Sequence, residues 1–307
     1  MNIAGTKIIE GEGNAVHVSI CICTYKRPIL LRRLLERIQL VESRGINYSI
    51  VICDNDVKRS AEKIVCEIMR MSKLSITYCC EPSKNIALAR NRALGSALGR
   101  FIAVIDDDEY PDDAWLTEMM AVCEKYKVAG VLGPVLPHFE IKPPTWIIKG
   151  GFCERPRHKT GRVMNWEECR TGNLLFRRSI IADLNEPFNP DFGNGGEDKD
   201  FFMRMNERSH QFVWCNEGIV FETVPQERWK PSYMFKRALL RGKNILKHPT
   251  GKFGLLLRSV FAIPVYLLVL PFCLLLGMHV FIKYVIKLCD HLGRVLALFG
   301  LNPVNER

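Results

Sequence analysis

The chain has 307 residues, 48% of them hydrophobic, and 43 Lys and Arg against 33 Asp and Glu, a formal net charge of +10. That length buries one large core with an appendage more naturally than two equal domains. The glycine, proline and charge contents exclude a fibrous or disordered chain, so function should sit in a packed site.

The N-terminus lacks a basic start followed by an apolar core, so no secretory signal is expected. Val16 to Cys23 is a short apolar run ending in Thr24-Tyr25-Lys26-Arg27-Pro28, and Leu30 to Leu40 has apolar residues at helical spacing, which predicts strand, loop and helix. Tyr48 to Cys53 reads as a second strand, ending in Asp54-Asn55-Asp56. Ala61 to Met71 reads as a helix, Ser75 to Cys79 as a third strand and Asn85 to Leu98 as another helix. This alternation implies a mostly parallel sheet with covering helices.

Phe101 to Ile105 is a buried strand that runs into Asp106-Asp107-Asp108-Glu109. Four carboxylates there repel one another unless a cation joins them, and the C-terminal edge of an open α/β sheet is where ligands bind. A solvated acidic turn is the plain alternative. Asp106 and Asp108 fit a D-x-D pair, whose hard oxygens hold Mg²⁺ or Mn²⁺ against a diphosphate. Beyond Gly133 the pattern loosens into loops rich in proline (Pro134, Pro137, Pro143, Pro144), expected to form a less regular, acceptor-facing half.

The next constellation is Phe192-Gly193-Asn194-Gly195-Gly196-Glu197-Asp198-Lys199-Asp200-Phe201, at the expected start of a helix running through Met205. Alone it suits an ordinary helix N-terminus. Beside the D-x-D pair it offers the carboxylate that displacement at a sugar anomeric carbon needs, to take the proton of an acceptor hydroxyl.

Most of the charge excess is local, because Arg228 to Arg258 holds nine Lys or Arg and no Asp or Glu. Ser259 to Ile282 then gives 24 positions with His279 as the only readily ionised side chain. A continuous helix of that length measures roughly 36 Å, enough to cross a hydrocarbon core of about 30 Å. Pro264 and Pro271 leave a kinked, re-entrant or interfacial hairpin open as the other reading. A basic flank beside an apolar run points to membrane lipids rather than nucleic acid, and it favours a cytoplasmic position for the N-terminal part. Arg228, Lys230, Arg237, Arg241 and Lys243 would meet lipid headgroups or the diphosphate of a ligand.

The twelve cysteines are scattered and form no C-x-x-C pair, so reduced structural thiols are expected. His138, His158 and His210 share no ligand spacing. Trp146, Trp166, Trp214 and Trp229 suit packing, with sugar stacking the alternative, Trp229 beside Arg228 above all.

Taken in order, Val18-Ser19-Ile20-Cys21-Ile22-Cys23-Thr24-Tyr25-Lys26-Arg27-Pro28, Val51-Ile52-Cys53-Asp54-Asn55-Asp56, Asn85-Ile86-Ala87-Leu88-Ala89-Arg90-Asn91, Asp106 to Glu109 with Trp115-Leu116, Thr171-Gly172-Asn173, and Glu197-Asp198 resemble the motifs of family-2 glycosyltransferases over residues 16 to 230. The resemblance implies the GT-A fold, a Rossmann-like α/β nucleotide-diphospho-sugar transferase domain, here followed by a hydrophobic membrane helix or helices. It divides the chain into a GT-A domain over 1–230 (nucleotide-sugar half about 16–133, acceptor half about 134–230), a basic juxtamembrane segment over 231–258 and a membrane-associated region over 259–307.

It also implies an inverting, metal-dependent hexosyltransferase. Thr24 and Asp54 would line the uridine pocket, and Arg90, Asp107 and Arg228 would contact the nucleotide sugar. Asp106 would bind ribose or donor sugar and, with Asp108, the metal. Asp198 would be the base, with Glu197 orienting the acceptor or supporting that base, the two being exchangeable. Asn173 and Trp229 would meet the acceptor.

Processive members carry Q-x-x-R-W after the base. Gln226-Glu227-Arg228-Trp229 is one residue shorter, so single-sugar addition is expected. Pro143-Pro144-Thr145-Trp146, Thr171-Gly172-Asn173 and Arg237 to Lys243 resemble bacterial exopolysaccharide transferases. The expected reaction is transfer from a UDP-linked sugar to a lipid-linked or surface-polysaccharide acceptor at the cytoplasmic membrane face. A membrane-tethered binding subunit that has lost catalysis is the alternative.

Overall fold

The computed structural model describes residues 16–193, 195–245 and 252–301. The N-terminal stretch read for a signal, Asn194 of the glycine-rich constellation, 246–251 of the basic segment and 302–307 of the membrane-associated region lie outside them. In chain order the elements are β1 (Val16–Thr24), α1 (Pro28–Ile38), β2 (Ile46–Asp54), α2 (Glu62–Met71), β3 (Ile76–Cys80), α3 (Ile86–Gly95), β4 (Phe101–Val104), β5 (Glu109–Pro111) and α4 (Trp115–Tyr126). There follow β6 (Gly130–Leu132), β7 (Val135–His138), α5 (Thr145–Gly150), β8 (Leu174–Arg177), α6 (Glu197–Glu207), β9 (Phe212–Trp214), β10 (Val220–Thr223), α7 (Pro231–Ile245), α8 (Lys252–Leu275) and α9 (Met278–Leu298).

The chain forms two compact units, one from the segment up to Leu136 with Arg155–Glu222, the other from Pro137–Glu154 with Thr223 onward. The first holds a seven-stranded sheet among the described residues, ordered β3-β2-β1-β4-β8-β6-β9. β1, β2, β3 and β4 run parallel, and β8 lies antiparallel between β4 and β6.

Side chains alternate across this sheet with the period of two that a strand imposes. Ile20, Ile22, Ile50 and Ile52 point into one core with Leu31, Leu34, Val65, Trp115 and Met119 of α1, α2 and α4. Cys21, Val51 and Cys53 point into the other, with Ala87, Ala89 and Ala93 of α3 and Phe201, Phe202 and Met205 of α6. Both faces are covered, which explains why β1 and β2 read as nearly continuous apolar runs. Cys21, Cys53, Cys123 and Cys215 are buried thiols outside any disulfide.

The structure departs from the sequence expectations in a few places. α1 starts two residues earlier, on Pro28, whose fixed φ suits the first helical position. α3 starts at Ile86 because Asn85 is its N-cap, its side chain accepting from Ala87 N and Leu88 N, and it ends at Gly95 rather than Leu98. The stretch beyond Gly133, expected as loops, contains β7, α5 and the central strand β8.

The second unit contains α5, α7, α8 and α9. The apolar run Ser259 to Ile282 is not one helix: α8 ends at Leu275, Gly277 takes φ +112°, and α9 begins at Met278. Pro264 and Pro271 both lie inside α8 and do not end it.

Candidate active site

The C-terminal ends of β1, β2 and β4 bring Thr24, Asp54 and Asp106 to one edge of the sheet. Thr24 Oγ1 donates to Asp107 Oδ2 at 2.7 Å, and Arg27 Nη1 donates to Asp107 Oδ1 at 3.0 Å and to Asp108 Oδ2 at 3.1 Å. Asp107 and Asp108 are buried. Burial pushes the Asp107 carboxyl up to about 6, against the pull of Arg27 and Thr24.

Glu109 turns back under this loop, its Oε2 accepting from the Asp106 backbone N–H at 3.1 Å. Its Oε1 has no hydrogen-bond partner among the described residues and faces Arg155 at 3.9 Å. Burial first, and then the neighbouring Asp106, push its carboxyl well above the usual range. Arg155 is held in turn by Glu222, at 2.6 Å, opposite Glu109 in the β5–β10 pairing.

The two acid clusters meet through one arginine. Arg90 on α3 forms an ion pair with Glu197 at the start of α6, and its other guanidinium nitrogen lies 3.6 Å from Asp106. Burial works against the charge on Arg90, and Glu197 and Asp106 more than restore it. Glu197 is buried and its carboxyl raised by that burial despite Arg90, with Asp198 adding repulsion. Glu197 Oε2 is buried without a hydrogen-bond partner among the described residues. Asp198, beside it, is half-buried and accepts from the Lys199 backbone N–H at 2.8 Å.

The loop before α6 is set by backbone conformation and by two asparagines. Gly195 and Gly196 take φ +119° and +101°, values that L side chains avoid. Asn85 Nδ2 donates to Pro190 O at 2.9 Å, and Ile86 N donates to Gly193 O at 3.2 Å. Asn55 Oδ1 accepts from Asn85 N at 3.1 Å, while its Nδ2 donates to Glu81 O at 3.0 Å. The loops after β2 and β3 and the loop before α6 are therefore tied together.

Asp54 is fully buried, and its carboxylate accepts from Asp56 N, Ala61 N and the Tyr78 hydroxyl at 3.1, 2.7 and 3.0 Å. Burial raises its carboxyl even so. It therefore shapes the Asn55–Asp56 loop from beneath. Asn173, expected to meet an acceptor, is fully buried in the left-handed region at φ +57°. Its Oδ1 accepts from Trp115 Nε1 at 2.7 Å and its Nδ2 donates to Pro134 O and Gly218 O at 2.9 and 2.7 Å. What this turn presents to the acids is Gly172, where an added Cβ would lie 2.9 Å from Glu109 Oε1 and 3.4 Å from Asp106 Oδ2.

Arg228 and Trp229 belong to the second unit, in a one-turn helix over Gln226–Trp229. Trp229 is buried with Ile147 and Val224 and tilts against Phe139 at 5.9 Å. Two residues acquire roles that the sequence reading did not give them. Arg27 was visible only as part of a quoted motif, and Arg155 carried no local signal at all.

Among the described residues no group of three or more His, Cys, Asp or Glu is placed to chelate a metal. The chemistry of the donor set fits a hard divalent cation only in an open site. Asp106 and Asp108 would supply carboxylate oxygen, the Asp106 side chain being 43% exposed, and phosphate oxygens and water would complete the shell.

The sequence from 19 to 184, more than half of the chain, matches the family model described as "Glycosyl transferase family 2". The chain is 33% identical over 232 residues to the succinoglycan biosynthesis protein ExoM of Rhizobium meliloti (strain 1021), covering 74% of each. It is 23% identical over 203 residues to the UDP-Glc:alpha-D-GlcNAc-diphosphoundecaprenol beta-1,3-glucosyltransferase WfaP of Escherichia coli, covering 66% of this chain and 74% of WfaP. In fold it is similar to residues 1–349 of S. aureus TarS crystallised with UDP-GlcNAc, with TM-score 0.54, 15% identity and coverage of 77% of this chain and 68% of that one. Against another TarS crystal structure the match spans 40% of the TarS chain, at TM-score 0.53. The alternating α/β layers, the mostly parallel sheet and these matches make the fold GT-A, and the chain belongs to glycosyl transferase family 2, as a glycosyltransferase of the exopolysaccharide type.

Proposed function

We propose that the protein transfers a single sugar, with inversion, from a UDP-linked donor to a lipid-linked or surface-polysaccharide glycan acceptor at the cytoplasmic face of a membrane. The observation that carries this reading is Arg90 joining Asp106 to Glu197, which puts the strand-end acids and the α6 acids at one place.

In this reading Asp198 takes the proton of the acceptor hydroxyl, whose oxygen attacks the anomeric carbon as the bond to the nucleoside diphosphate breaks. Glu197 orients the acceptor, and its unpartnered Oε2 supports that role. Thr24 and Asp54 shape the uridine side, Asp54 by holding its loop. Arg90 and Asp107 hold the donor. Asp106 and Asp108 would hold Mg²⁺ or Mn²⁺, which supplies neutralisation of the charge on the departing diphosphate. Asn173 serves the acceptor side by building the turn that carries Gly172.

The names of the relatives support the substrate classes. WfaP is named for UDP-glucose and a diphosphoundecaprenol-linked sugar, ExoM for succinoglycan, and two of the TarS crystals contain UDP-GlcNAc or UDP. The apolar α8 supports a membrane setting. The test is a panel of UDP-sugars supplied with Mn²⁺ and polyprenyl-diphosphate-linked acceptors. Transfer of one sugar, lost in Asp198→Asn while donor binding survives, is expected. Donor binding without turnover under every combination would instead make the chain a binding subunit.

A further inference from the structure

This inference rests on the membrane setting proposed above and concerns how the chain meets the bilayer. Among the described residues, α8 is the one helix long and apolar enough to cross a membrane, with mean hydropathy 2.1 over Gly254–Leu275 and almost none of that window buried. By itself it reads as a span. Its partner helix contradicts that reading.

α9 starts after only Leu276 and Gly277 and returns along α8. Tyr266 packs edge-on against Tyr284 at 5.8 Å between ring centroids, and Ser259 Oγ lies 3.0 Å from His291 Nδ1. In each pair the two residues are equally far in sequence from Leu275, so the helices are antiparallel and in step over most of their length. An α8 standing across the bilayer would therefore carry α9 across beside it.

α9 is not a spanning sequence. It carries Lys283, Lys287, Asp290 and Arg294, with Lys283 and Lys287 exposed. Its other flank is locked to α7, where Arg241 forks onto Asp290 at 2.8 and 2.6 Å. An added Cβ on Gly242 would lie 2.2 Å from Asp290 O, and one on Gly293 2.2 Å from Leu239 O, so the two backbones touch. A crossing α8 would draw these charges and the exposed Lys236 and Arg237 of α7 toward hydrocarbon, where ionised side chains are strongly disfavoured.

We infer that the α8–α9 hairpin lies along one leaflet, with α8 sunk into it, and does not cross. Ser259, Tyr266 and Cys273, seven residues apart, face α9. On the opposite side Phe261, Val265, Leu268, Phe272 and Leu275 form an exposed stripe at spacings of four and three, from 57% to 85% exposed. That stripe sinks among the acyl chains, and α9 and α7 stay on the headgroup side. The occupant is an anionic lipid leaflet: nine Lys or Arg and no acid lie between Arg228 and Arg258, the segment that leads into the hairpin.

The experiment uses the full chain with epitope tags at both ends, expressed in a bacterial host and treated with protease in spheroplasts and in inverted membrane vesicles. Both tags should be cut only in inverted vesicles. A C-terminal tag cut in spheroplasts while the N-terminal tag is protected overturns the hairpin and leaves the membrane setting intact. In parallel, purified protein is floated with phosphatidylethanolamine and phosphatidylglycerol vesicles. Leu268→Lys with Phe272→Lys should lower binding about tenfold or more, with UDP-sugar binding unchanged. Failure of the unaltered chain to float, with formation of a dimer instead, overturns the hairpin and the membrane setting together.

Discussion

Arg90 and Glu197, 107 residues apart in sequence, form an ion pair in which both side chains are almost wholly buried. Such a pair contributes little net stability when intact, since desolvation offsets attraction, but removing one partner strands the other. Arg90→Met or Glu197→Leu should each cost about 3–5 kcal/mol. Combining them should cost clearly less than the sum. Urea denaturation of the four proteins checks this, and full additivity would show that the two groups are not coupled.

Asp107 gives a pH signature. Its carboxyl is raised from an ordinary 3.8 to about 6, chiefly by burial, so the folded protein holds that proton more tightly than the unfolded chain does. The stabilising share is fully present below pH 3.8 and is lost as pH rises through about 6. Asp107→Asn, which stays neutral, should therefore melt higher than the unaltered protein at pH 7.5. The gap, at most about 3 kcal/mol, should close by pH 4. A gap that is constant across that range would remove burial as the cause.

Gly172 tests close approach rather than backbone freedom, because its φ lies outside the positive region. Gly172→Ala should fold, yet push the Glu109 and Asp106 carboxylates aside by a few tenths of an ångström. Misplacement on that scale should lower kcat/KM for transfer by about tenfold or more. Unchanged kcat/KM would show that the turn does not bear on the acids.

Asn173→Ala removes partners from Trp115 Nε1 and from two backbone carbonyls in a fully buried place, and puts Ala at φ +57°. A loss of about 3 kcal/mol or more is expected by thermal denaturation. The KM for the donor should be nearly unchanged in the protein that remains folded, which separates building the turn from binding a ligand.

Much of this was legible in the sequence. The apolar runs ending at Thr24, Asp54 and Ile105 announced strands whose ends carry polar groups, because a strand covered on both faces leaves no other period to read. β8 was not legible: Leu174-Leu175-Phe176-Arg177 is short, follows irregular chain, and becomes central only by pairing with β4 and β6. Arg155 was invisible for a related reason, since its partners Glu109 and Glu222 lie 46 and 67 residues away. Asn173 stood out by motif, but motif does not distinguish a side chain offered to a ligand from one spent within the fold. The apolar run 259–282 concealed the break at Gly277, because hydropathy does not register a backbone reversal between two apolar stretches.

The link from Asn55 to Asn85 and on to the Gly193 backbone bears on any attempt to redesign these loops. Segments that look interchangeable along the chain are mechanically one clamp, since an added Cβ at Gly193 would collide with the Asn85 amide, and Asn85 in turn leans on Asn55. Swapping one of these loops from a relative would disturb the other two, so the three have to be transplanted as a set.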